Sequence, residues 1–145
     1  MNLTGSAAAH WRGDLVTGSG EIDFLSSGAA PAGLRFPLAP GDPAGRTSPE
    51  ELIASAQAGC YTLMLSHILQ QAGTPAESID TEVSATVLPG TGFTELAIRA
   101  VARVPGIDDT QFQRVAAKAE RQCPVSLALK DIPHTLDVRL ATSEG

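Results

Sequence analysis

Between Ser48 and Gly73 the chain reads SPEELIASAQAGCYTLMLSHILQQAG, a single long helix with punctuation at both ends. Ser48 is a suitable N-cap, Pro49 occupies the first helical position where its missing N–H costs nothing, and Glu51 completes an S-x-x-E capping box. Gly73, followed by Thr74 and Pro75, stops it. Leu52, Ile53, Cys60, Leu63, Met64, Leu65, Ile68 and Leu69 lie between, with almost no charge after Glu51. A helix apolar nearly all round is expected to be buried. At 1.5 Å per residue it would run ~36 Å, more than a small monomeric domain needs, and that length points to a partner chain.

Burying such a helix takes a sizeable core. The 145 residues, 43% of them hydrophobic, are enough to build one around it, so a single domain over residues 1–145 is expected. The net charge of −6 and pI near 4.9 argue against nucleic acid as a partner, because phosphate binding needs clustered Lys and Arg. Ser55, Gln57, Ser66 and His67 interrupt the helix, so no membrane span is expected. The N-terminal MNLTGSAAAHW lacks the basic and apolar regions of a secretory signal, which makes the cytoplasm the expected compartment. Two cysteines there are expected to be free, catalytic or redox-active rather than a standing disulfide.

The rest of the chain alternates. Residues 7–16 suggest a first strand, EIDFLSS after the turn at Thr17 to Gly20 a second, and GLRFPLA, with Arg35 and Phe36, a short third in which Pro37 points to an edge or a strand end. Residues 39–46 then form a loop. After the helix, SIDTEVSATV places Ile79, Thr81, Val83, Ala85 and Val87 on one face, and FTELAIRAVAR does the same with Leu96, Ile98, Ala100 and Ala102. With a turn at Gly90 to Gly92 these make an antiparallel hairpin. Asp108 and Gln111 cap a helix to about Arg121; Cys123-Pro124 breaks it, and PVSLALK opens a short one. HTLDVRLAT is a last strand, in which Leu136, Val138 and Leu140 alternate with Asp137 and Arg139. The order is βββ-α-ββ-αα-β, an α+β class with mainly antiparallel sheets and a long central buried helix.

Chemistry in this chain centres on thiols. Two cysteines 63 positions apart make no C-x-x-C motif, and His10, His67 and His134 are too scattered to complete a zinc site with them, so neither metal nor cofactor is expected. Cys60 and His67, seven positions apart, lie ~10 Å apart along the helix axis, too far for direct activation. Cys60 in an apolar helix would be a small inert hydrophobe unless a cation lies nearby. Cys123 opens a helix, whose dipole favours a thiolate, so electrostatics alone makes it the better nucleophile.

TSPEELIASAQAGCYTLMLSHIL, SIDTEVSATV, VPGID and CPVSLALK, in that order, resemble the OsmC and organic hydroperoxide resistance (Ohr) family over most of the chain. The PEEL helix start with a cysteine ten residues after its first glutamate, and the downstream CPVS, carry the resemblance. It implies an OsmC-like fold, an intertwined homodimer with active sites at the subunit interface, and a thiol-dependent peroxidase. Cys60 resembles the peroxidatic cysteine, Cys123 the resolving one, and Glu50 the family glutamate. The family arginine corresponds to Arg35 in the strand before the helix, then to Arg12 of the first hairpin, then to Arg46. The loop from Pro37 to Gly45 is longer than in OsmC relatives, and Arg46-Thr47-Ser48 replaces a commoner GTN.

The implied cycle reduces organic hydroperoxides, and hydrogen peroxide less well. An external dithiol such as dihydrolipoamide reduces the resulting disulfide. Glu50 and Cys60 stand ~15 Å apart on one straight helix, so a shared site needs a second, antiparallel copy. Two alternatives are a redox sensor or stress-induced binding protein that is oxidised once without turnover, and a structural dimer with inert thiols.

Overall fold

The computed structural model describes residues 2–36 and 45–141, in two compact units, Met1–Leu52 and Ile53–Gly145. Pro37 and the loop residues 39–44 lie outside the described residues.

The first unit holds a four-stranded sheet in chain order: β1 (Ala7–Arg12), β2 (Ser19–Phe24), β3 (Ala32–Leu34) and β4 (Arg46–Thr47). β1, β2 and β3 are antiparallel neighbours, whereas β4 runs parallel to β3. The sequence reading expected three strands here; β4 is a fourth, and two residues are too few to show a periodicity. Arg35 lies just past β3, where its amide donates to Thr47 O at 3.0 Å. Asp14 holds the β1–β2 turn by accepting from the Thr17 hydroxyl and from the amides of Thr17 and Val16. Thr17, through its hydroxyl and then its amide, with Val16 after it, keeps the Asp14 carboxyl below its ordinary value. Gly20 faces Trp11 across the hairpin, and a Cβ there would stand 2.4 Å from His10 O and 2.5 Å from the indole Cε3. Only glycine lets the ring lie over this strand.

The long helix α1 spans Pro49–Gln71, as its caps predict. Ser48 Oγ accepts from Glu51 N at 3.3 Å, and the Glu51 carboxylate accepts from Thr47 Oγ1 at 2.6 Å. Its C-terminus is a Schellman motif: Gly73 is left-handed with φ 82°, and Thr74 N donates to Leu69 O.

In the second unit β5 (Ser78–Leu88), β6 (Gly92–Arg103) and β7 (His134–Leu140) form a sheet in that order. β5 and β6 are the expected hairpin, and β7 pairs parallel to β6. Helix α2 (Asp109–Gln122) starts at its expected cap, Asp108 Oδ1 accepting from Gln111 N at 2.8 Å. Helix α3 (Pro124–Ala128) follows after Cys123. The core unites Tyr61, Leu65, Ile68 and Leu69 of α1, Ile98, Ala100 and Ala102 of β6, Phe112, Ala116 and Ala119 of α2, and Val138 of β7. Hydrogen bonds tie the elements together: Tyr61 Oη to Ala116 O, Thr62 Oγ1 to Thr81 Oγ1, and Gln113 Nε2 to Val138 O.

One expectation changes: α1 is not buried all round. Gln57, Tyr61, Leu65, Ile68 and Leu69 form one buried stripe, while Leu63 is 73% exposed. One sheet and α2 cover only one side of a helix, and the other side mixes Leu63, Ala56 and Gly59 with Ser55 and His67. By length and hydropathy α1 also reaches the range of a membrane-crossing helix, but its buried stripe packs as that of a core helix. In β7, Leu136 is exposed and Val138, two positions on, is buried. An open groove of about 1070 Å³ runs along α1 and the sheet, lined among others by Thr62, Leu63, Ile79, Thr81, Arg99 and Val101.

Candidate functional site

The second unit brings both thiols together. Cys60 sits in the middle of α1, half-buried, and Cys123 sits fully buried between α2 and α3. Cys123 Sγ donates to Cys60 Sγ across 2.8 Å, and both thiols are free. A disulfide, at ~2.05 Å, needs the sulfurs to approach by less than about 1 Å more. Local sequence sets up this junction. Pro124 denies Cys123 helical geometry and holds it extended, with φ −65° and ψ 119°, so α2 ends where α3 begins.

The electrostatics differ from what the sequence led us to expect. The Val125 backbone amide at the start of α3 favours the Cys60 thiolate. Two larger effects oppose it. Burial, and then the competition with the neighbouring Cys123 for the proton that the two sulfurs share, push the Cys60 thiol up. Cys123, with 0% exposure, has no surface for an incoming molecule, whereas Cys60 has some. Cys60 is therefore the thiol that an incoming molecule can touch, and α3, at five residues, is too short to carry much dipole.

Two side chains that the sequence reading did not place at a site border the thiols. Gln57, three residues before Cys60, is fully buried; its Nε2 donates to Ser126 Oγ at 2.8 Å and lies 3.9 Å from Cys123 Sγ. Its Oε1 is buried without a hydrogen-bond partner. A polar residue in the middle of an apolar helix was the available signal.

The remaining candidates belong to the first unit. Glu50 opens α1, and its Oε2 is buried without a hydrogen-bond partner. Arg35 is half-buried beside β4, whereas Arg12 and Arg46 are exposed. Among the described residues no group of His, Cys, Asp and Glu could hold a metal ion. His10 bonds Asp23 Oδ2, His134 bonds Ile132 O, and His67 is exposed.

Residues 41–137 match the family described as OsmC-like protein. The chain belongs to the OsmC-like family. Over 147 aligned residues this OsmC-like protein is 37% identical to Peroxiredoxin OsmC of Escherichia coli K12, covering 97% of this chain and 99% of that one. Its fold matches the crystal structure of an OsmC-like protein from Mycoplasma pneumoniae with TM-score 0.80 at 14% identity, covering 98% and 100% of the two chains. It also matches the organic hydroperoxide resistance protein OhrB of Bacillus subtilis with TM-score 0.63 at 24% identity, covering 94% and 98%.

Proposed function

We propose that this OsmC-like protein is a thiol-dependent peroxidase that reduces organic hydroperoxides in the cytoplasm, with Cys60 as peroxidatic and Cys123 as resolving cysteine. The 2.8 Å approach of the two free thiols carries this reading. The name of the E. coli relative, a peroxiredoxin, and that of the B. subtilis neighbour, an organic hydroperoxide resistance protein, support it.

The Cys60 thiolate attacks the distal oxygen of ROOH; the O–O bond breaks, the alkoxide leaves and takes up a proton as ROH, and Cys60 becomes a sulfenic acid. Cys123 sulfur then attacks the Cys60 sulfur. The S–O bond breaks, and hydroxide departs with the Cys123 proton as water. An external dithiol reduces the disulfide by two exchanges and is itself oxidised to a disulfide.

Cys60 needs a cation, since burial and the Cys123 thiol push it up. Arg35 fills this role in the proposal, held by Glu50, whose buried Oε2 lacks a hydrogen-bond partner. Glu50 lies ~15 Å before Cys60 on α1, so the two serve different sites of a homodimer. The exposed side of α1 around Leu63 suits such an interface.

Steady-state consumption of cumene hydroperoxide against hydrogen peroxide, with dithiothreitol or dihydrolipoamide as donor, tests the reading. Cys60→Ser is expected to abolish turnover, and Cys123→Ser to leave a persistent sulfenic acid that over-oxidises. Turnover retained in Cys60→Ser and lost in Cys123→Ser reverses the assignment. Consumption of a single equivalent identifies a redox sensor instead.

A further inference from the structure

We propose that Gln57 and Ser126 form a positioning pair that holds Cys123 against Cys60 for disulfide formation, an inference that rests on the two-cysteine reading above. Cys123 is the first residue outside α3, and a helix of five residues has little stability of its own. The Cys123 side chain makes no capping bond at that end. Something beyond α3 must therefore fix the resolving sulfur.

The buried Gln57 amide does so from α1. It donates to Ser126 Oγ at 2.8 Å, which ties the middle of α3 to the helix that carries Cys60, and the same nitrogen faces Cys123 Sγ at 3.9 Å. Ser126 itself is buried. Gln57 also falls in the stripe that continues through Tyr61, Leu65 and Ile68, where an apolar residue would complete the core. Its unmet Oε1 costs stability, so a glutamine here serves the sulfur junction at the expense of packing. In the condensation the S–S bond forms, the S–O bond of the sulfenic acid breaks, and water leaves with the Cys123 proton. Gln57 takes no part in that exchange of atoms; it keeps Cys123 within reach so that the two sulfurs meet at high effective concentration.

Gln57→Leu and Ser126→Ala test the pair. After one equivalent of cumene hydroperoxide, Gln57→Leu is expected to form the Cys60–Cys123 disulfide ~10-fold more slowly relative to Cys60 oxidation, with more sulfenic acid captured by dimedone. Against dithiothreitol at equilibrium, its disulfide should be ~10-fold less favoured, a rise of ~30 mV in potential. Ser126→Ala should move both readouts the same way, and it decides the matter should Gln57→Leu not fold by circular dichroism. Unchanged condensation and unchanged potential in the folded variants overturn the proposal. The dithiothreitol equilibrium needs no peroxide, so a protein that consumes none overturns the peroxidase reading while the potential still decides the role of Gln57.

Discussion

Tyr61 is the protein's only tyrosine and one of its most deeply buried side chains, its hydroxyl donating to Ala116 O at 3.1 Å. Burial first, then the charges at Glu120 and Cys123, raise its pKa beyond the ordinary phenol range. A folded-state pKa raised above the unfolded value, ~10, means that the folded chain binds more protons at alkaline pH. The stability from the neutral phenol is therefore complete below pH ~10 and lost as pH rises further. Absorbance at 295 nm, which reports this one residue, should rise only together with loss of the native circular dichroism. Tyr61→Phe should cost ~0.5–1.5 kcal/mol at neutral pH, measured by urea unfolding.

At the scale of elements, α1 and α2 are stopped and started by side chains that read plainly in the sequence. Asp108 satisfies an orphan amide of α2, and Asp108→Ala should destabilise the protein by ~1 kcal/mol in denaturant titration, with no change in the thiols. Both caps, the Gly73 stop and the β5–β6 alternation were legible because each depends on residues within a few positions of one another. β4 was not legible, since two residues have no period and pair only because β3 is there to receive them. The parallel pairing of β7 escaped for a related reason: alternation gives which residues share a face but not the direction of the neighbouring strand.

For the whole molecule, the side of α1 opposite the core sets the prediction. Leu63 is 73% exposed on a helix with apolar residues on both sides, a surface that the proposed homodimer would cover. Leu63→Glu should halve the mass in light scattering while leaving the secondary structure intact, and peroxide turnover should fall with the dimer. A monomeric mass for the unmodified protein would remove the dimer from the proposal.

By itself the sequence determined the long capped helix, the hairpin after it, the break at Cys123-Pro124 and, through its motifs, the family. Each is written in neighbouring residues or in a string of them. Only the tertiary structure decided that sulfurs 63 positions apart stand 2.8 Å from one another and that Gln57 reaches Ser126. It also decided that α1 buries one stripe and leaves Leu63 outside. A contact between distant residues depends on how helices are stacked and rotated about their axes, and a helix with apolar residues on both sides does not announce which face turns inward.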